Sequence, residues 1–155
     1  MMDWVFNDGG REAAGFKGET GDCVCRAFAI ATGKPYKEVY NDINELAKSE
    51  RTGKNKKKKS NARTGVYRDT SRKLAEKYGF KWIPTMQVGK GCTVHLVSDE
   101  LPGGTIVVKL AKHLVCVKDG VVQDTYNSSI SEYYDENDVL VTNDRRCVYG
   151  YYVQE

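Results

Sequence analysis

A chain of 155 residues, 40% hydrophobic and 29% charged, is long enough to bury one core without disulfides or metal, and its length suits a single domain over residues 1–155. The first ten residues have neither a basic start nor an apolar run, and no later stretch is long enough to span a bilayer; this argues against an export signal and a membrane partner. The net charge of +3 is unevenly spread: residues 48–63 hold eight basic side chains and one acid (+7), so the remainder carries 3 − 7 = −4.

Residues 1–21 hold five glycines and little periodicity, the pattern of an irregular lead-in. Asp22 is a good N-cap residue, and VCRAFAIAT follows with almost no polar break, which predicts a central helix ended by Gly33. Pro35 suits the start of a second helix, where Tyr36, Val39, Tyr40, Ile43 and Ala47 share one face. Residues 48–65 lose this periodicity and read as a basic loop. A third helix is expected from about Tyr67 to Tyr78, closed by Gly79.

Beyond Gly79 the pattern turns extended. Phe80–Ile83, Thr93–Val97, Thr105–Leu110, His113–Val117, Val121–Tyr126 and Cys147–Val153 are short β-branched or aromatic runs, and Asp119-Gly120 signals a hairpin. Helices first and an antiparallel sheet second predict an α+β fold.

Cys23 falls on the first turn of the first helix, beside free backbone N–H groups and the positive dipole end, both of which favour thiolate. A two-residue turn at Asp119-Gly120 pairs Lys118 with Val121, Val117 with Val122, Cys116 with Gln123 and Val115 with Asp124. Asp124 and His113 then become diagonal neighbours, roughly 7–8 Å apart at the backbone. An aspartate on the histidine Nδ1–H fixes the tautomer and leaves Nε2 for a thiol. The same residues also fit a blander reading, with a structural His–Asp pair and core cysteines. Cys25 and Cys116 are expected to pack as apolar side chains, and Cys147 as an interior strand residue.

The five cysteines are odd in number and, without an export signal, are expected to be free thiols in a reducing cytosol. Cys92-x-x-His95 has half a zinc spacing, with Cys23-x-Cys25 as a conceivable other half. It lacks paired knuckles, so no metal or other cofactor is expected. Lys54, Lys56, Lys57, Lys58, Lys59 and Arg63 are candidates for anion or nucleic-acid contact. Residues 41–66 contain no aromatic for base stacking, and a solvated loop or an acidic protein partner explains the charge equally well. Trp4, Trp82 and the Tyr-rich C-terminal stretch supply aromatic surface for a groove or for the core.

Several segments together, GDCVCRAFAIATGKPYKEVY (21–40), SNARTGVYR (60–68), WIPTMQVGKGCTVHL (82–96), KHLVCVKDGVVQDTYN (112–127) and RCVYGYY (146–152), resemble a family of small papain-like proteins of tailed phages and prophages. The resemblance implies a papain-like fold with Cys23, His113 and Asp124 in the triad places, and its phage setting suggests a protein or peptide substrate, either a host defence protein or a phage structural precursor, met in the host cytoplasm. It implies nothing about the bond cut. Papain-like peptidases usually carry a Gln before the cysteine to help hold the oxyanion, whereas residues 17–20 here read KGET. The Cys23 N–H supplies one donor, and the second is expected from Thr20, Asn7 or a lead-in amide; losing one such donor typically costs about 10²–10³ in rate. Asp22 would oppose the oxyanion unless it turns inward to cap its helix.

The expected function is a thiol-dependent hydrolase acting on peptide or isopeptide bonds, although deamidation or acyl transfer would use the same three residues. The alternatives are a catalytically weak papain-fold binder or inhibitor of a host protein, and a nucleic-acid-associated protein using its Lys-rich loop.

Overall fold

The computed structural model describes residues 2–18, 20–55 and 58–154. Helix α1 (Cys23–Thr32) is buried at seven consecutive positions from Val24 to Ile30, as its nearly unbroken apolar sequence requires, and Gly33 closes it at φ 73°. Helix α2 (Tyr36–Ala47) lays its apolar face, led by Val39 and Ile43, against α1, and α3 (Arg68–Lys77) packs through Leu74 on α2 and the sheet. The fold is α+β, with these helices on a mostly antiparallel sheet.

The six-stranded sheet has the order β1-β7-β6-β5-β10-β2. Its strands are β1 (Asp3–Phe6), β2 (Phe80–Pro84), β5 (Thr105–Leu110), β6 (His113–Lys118), β7 (Val121–Asp124) and β10 (Gly150–Gln154). Neighbours are antiparallel except β1 and β7. Two small hairpins complete the fold, β3 (Met86–Gln87) with β4 (Gly91–Cys92) and β8 (Ser131–Tyr134) with β9 (Leu140–Asn143). Alternation along the central strands divides the core. Val107, Leu114 and Tyr152 join the helical cluster, while Ile106, Val108, Val115, Val117 and Val122 meet Met2, Leu96 and Val148 on the other face. A sheet covered on both faces accounts for the continuous apolar run of β6.

Several sequence expectations need correction. The lead-in is not wholly irregular, because Asp3–Phe6 adds a parallel edge strand to β7. Thr93–Val97 forms no strand; it is an extended crossing with a single bridge, His95 to Cys147, and its backbone bonds to Arg146 and Val148 satisfy it locally. The expected strand ends also shift, to Asp124 for β7 and to Gly150–Gln154 for β10.

The cysteine reading is corrected too. Cys92 and Cys147 form a disulfide, with Cα atoms 5.8 Å apart where that crossing brings the two segments together. Cys147 is half-buried rather than interior, and Cys23, Cys25 and Cys116 are the free thiols. The disulfide removes the argument that drew a reducing compartment from the cysteines. Among the described residues, no helix is long and apolar enough to cross a membrane.

Candidate active site

Three elements converge at one end of the sheet. Cys23 opens α1, His113 opens β6 and Asp124 closes β7. The β6–β7 turn has Asp119 at φ 47° and Gly120 at φ 80°, both in the left-handed region a two-residue hairpin turn needs. It sets the expected pairs of Cys116 with Gln123, Val117 with Val122 and Lys118 with Val121. His113 and Asp124 share parity with the valines of the far face, yet both meet residues of α1, because they stand at strand ends on the sheet margin.

His113 Nε2 lies 2.7 Å from Asp124 Oδ2, with both side chains nearly closed to solvent. The expected ring orientation is therefore reversed: Nε2 serves the carboxylate, which leaves Nδ1 as the ring nitrogen for Cys23, whose thiol lies near enough for each group to shift the other's pKa. Tyr126 stacks obliquely on the imidazole, ring centroids 5.5 Å apart, and screens it on one side.

Burial opposes ionisation of Cys23. The hydrogen bond and charge of His113, a backbone bond from Leu114 and the charge of Arg26 outweigh it and hold the thiol below its ordinary value. His113 shows the converse: burial lowers its pKa, but Asp124 and Cys23 prevail and raise it. Asp124 is likewise lowered, with burial overcome chiefly by His113. All three shifts favour a thiolate–imidazolium pair. By contrast, burial pushes Cys25 and Cys116 up to about 12, which leaves them inert.

Arg26 is a member of the site that the sequence reading missed. Its guanidinium joins Asp22 Oδ1 on one side and Asp124 Oδ1, at 3.2 Å, on the other. The Tyr36 hydroxyl donates to Asp22 Oδ2 at 2.6 Å, and Arg11 Nε stands 3.6 Å from the same oxygen. The Asp22–Arg26 spacing of four on a helix was a local signal for half of this network. Nothing local announced Asp124 as the other half.

Asp22 occupies the N-cap position of α1 but makes no side-chain cap bond, contrary to expectation, because Arg26 and Tyr36 hold its carboxylate. The first-turn N–H groups of Cys23 and Val24 therefore receive no side-chain cap from Asp22. The other expected donors are committed elsewhere. Thr20 donates its hydroxyl to the Arg63 carbonyl at 2.6 Å, and the Asn7 amide reaches Gln123 at 3.3 Å. Gly21 also bonds Arg63 O, at 2.8 Å, and a Cβ there would stand 2.9 Å from the Thr64 carbonyl oxygen. The 61–65 turn thus clasps the segment that leads into Cys23.

A cavity of about 1000 Å³ opens over Cys23 and His113. Trp82, Tyr149 and Tyr152 form part of its wall, and the β3–β4 hairpin contributes Met86, Val88 and Gly91. Lys54, Lys58 and Lys59 are exposed and outside this cavity, and Lys59 donates to the Lys48 carbonyl at 3.1 Å. Lys56 and Lys57 lie outside the described residues. Arg63 donates to the Lys17 carbonyl, so it acts as a clasp within the protein. The Cys92/His95 zinc spacing is not assembled: Cys92 is in the disulfide, and His95 Nδ1 faces Glu100 at 3.2 Å.

In comparisons with known proteins, no family model, curated protein or solved structure matches this chain.

Proposed function

We propose that the protein is a papain-like thiol hydrolase of peptide or isopeptide bonds, with Cys23 as nucleophile, His113 as acid and base, and Asp124 as the residue that aligns the imidazole. The Cys23 thiolate adds to the scissile carbonyl carbon, and the carbonyl electron pair moves onto oxygen at the first-turn amides of α1. Collapse breaks the C–N bond, and the leaving amine takes the imidazolium proton from His113. Water then adds to the thioester as His113 accepts its proton. The acid departs, and the thiolate–imidazolium pair is restored. This chemistry draws on no metal or organic cofactor. In line with the resemblance, the reading extends to a phage-encoded enzyme acting on a protein in the host cytoplasm.

The observation that carries the proposal is the Cys23 thiol beside the His113–Asp124 pair, with Cys23 and His113 lining an open cavity. A second reading, a binding protein on the same scaffold, draws on the commitment of Thr20 and Asn7 to internal bonds, which leaves the oxyanion fewer donors.

Limited alkylation with iodoacetamide tests the first reading. The lowering of Cys23 and the raising of His113 both favour the thiolate–imidazolium pair over the neutral one, and thiolate is the form that alkylates. Cys23 is expected to label alone at pH 6, whereas equal, slow labelling of Cys23, Cys25 and Cys116 would rule the pair out.

A further inference from the structure

The cavity above Cys23 carries a charge that the proposed chemistry leaves unused. Besides Arg26, whose charge is already met by Asp22 and Asp124, four cations line it: Arg68 and Arg72 from α3, Lys109 from β5, and Lys112 just before β6. Asp22 is the only acid among the described lining residues, and it is already held by Arg26 and Tyr36. None of the four cations has an ion-pair partner among the described residues.

Two of them are also partly withdrawn from water. Lys109 shares the helix-covered side of β5 with Val107 and is half-buried. The Arg72 Nε is buried with no hydrogen-bond partner, although the residue meets the Tyr152 hydroxyl. Burial lowers the Lys109 pKa, the charge of Cys23 opposes that, and Arg68 adds to it; like charges therefore crowd this wall within electrostatic reach of the nucleophile. Partly desolvated cations without counter-charges are costly in a folded protein unless a ligand supplies the anion. Planar guanidinium groups suit a carboxylate in particular.

We propose that the substrate is an acidic peptide, bound with a Glu or Asp side chain beside the scissile bond and against the wall formed by Arg68, Arg72 and Lys109. The inference rests on the thiol-hydrolase reading and deepens it. Selectivity arises because an acidic residue gains charge-assisted hydrogen bonds at this wall, while a basic residue meets four like charges. Trp82 and Tyr152 beside the cations give the aliphatic part of the same side chain an apolar surface.

The test uses the whole protein and a set of peptide vinyl esters identical except for Glu, Gln or Lys at each of the two positions on either side of the electrophile. The rate of Cys23 labelling is followed by mass spectrometry in low and high salt. At the best position, Glu is expected to exceed Gln by about 10–100-fold, from one to two charge-assisted hydrogen bonds, with Lys slower still. High salt should compress the ratio. Lys109→Gln and Arg72→Gln should each reduce it severalfold, so the result does not depend on one variant folding.

Gln reacting as fast as Glu at every position would overturn the inference while leaving the hydrolase reading intact. An oligonucleotide that protects Cys23 where acidic peptides do not would overturn it in favour of a nucleic-acid ligand. If iodoacetamide shows no preference for Cys23, the hydrolase reading fails first and this inference falls with it.

Discussion

Replacing Arg26 with methionine removes the one guanidinium that bridges two buried carboxylates. The Asp22 and Asp124 side chains are 0% and 2% exposed, and that of Arg26 is 10% exposed. Deleting one partner of a buried ion pair typically costs about 3–5 kcal/mol. Here the loss should fall near the lower end, because neither carboxylate is left bare. Asp22 keeps the Tyr36 hydroxyl at 2.6 Å, and Asp124 keeps His113 and the Thr125 N–H, each at 2.7 Å.

About 3 kcal/mol corresponds to a fall of about 6–12 °C in Tm for a chain of this size. Urea unfolding followed by tryptophan fluorescence measures it directly. The sign with pH follows from the carboxylates. Asp124 is held below its ordinary value, so its contribution is present above the unfolded carboxylate pKa of about 3.9 and is lost as pH falls through the lower folded value. A protonated Asp124 needs no counter-charge, so the gap between native protein and variant should hold from pH 7 to about 4 and narrow as pH falls further. A loss below about 1 kcal/mol at pH 7, or a gap that fails to narrow, would refute the reasoning.

Three further outcomes are expected. His113→Ala leaves burial of Cys23 opposed only by Leu114 and Arg26, so the pH midpoint of its alkylation should move from below an ordinary thiol's value to above it; an unmoved midpoint would assign the activation to the helix terminus instead. Gly21→Ala drives a Cβ against the Thr64 carbonyl oxygen, which should part the 61–65 clasp and slow Cys23 labelling at pH 6 more than it lowers stability. Cys147→Ser opens a cross-link spanning 55 residues and is expected to cost about 2–4 kcal/mol, read as a lower urea midpoint that matches the reduced native protein.

The parts of the fold that the sequence announced are those with local grammar. Helix α1 runs from its acidic entry to Gly33 as its apolar run suggests, and the Asp119-Gly120 turn fixed the β6–β7 register before any coordinates. Strand β1 escaped because all four of its residues are exposed and its partner lies at the other end of the chain, so no alternation marks it. Thr93–Val97 misled for the opposite reason. Val94 and Leu96 do alternate into the second core cluster, but their backbone partners are single residues of a crossing segment.

At the site, pattern brought Cys23, His113 and Asp124 to one place. It could not choose between the ring nitrogens of His113, because that depends on how the strand end is turned at the sheet margin. Nor could it foresee that Asp22 would forgo its helix for Arg26 and Tyr36, since that choice is settled by tertiary neighbours.

The disulfide between Cys92 and Cys147 has a consequence for how this chain tolerates electron donors. Cys92 ends β4 of the hairpin that borders the cavity, and Cys147 lies two residues before Tyr149, which lines the same cavity and whose carbonyl accepts the Thr85 N–H just before that hairpin. A milieu reducing enough to spare the half-buried sulfur of Cys23 from oxidation also works against the covalent tie between these two wall segments. One oxidising enough to preserve the tie endangers that sulfur. The tie at the cavity wall and a reduced Cys23 coexist only over an intermediate band of thiol poise.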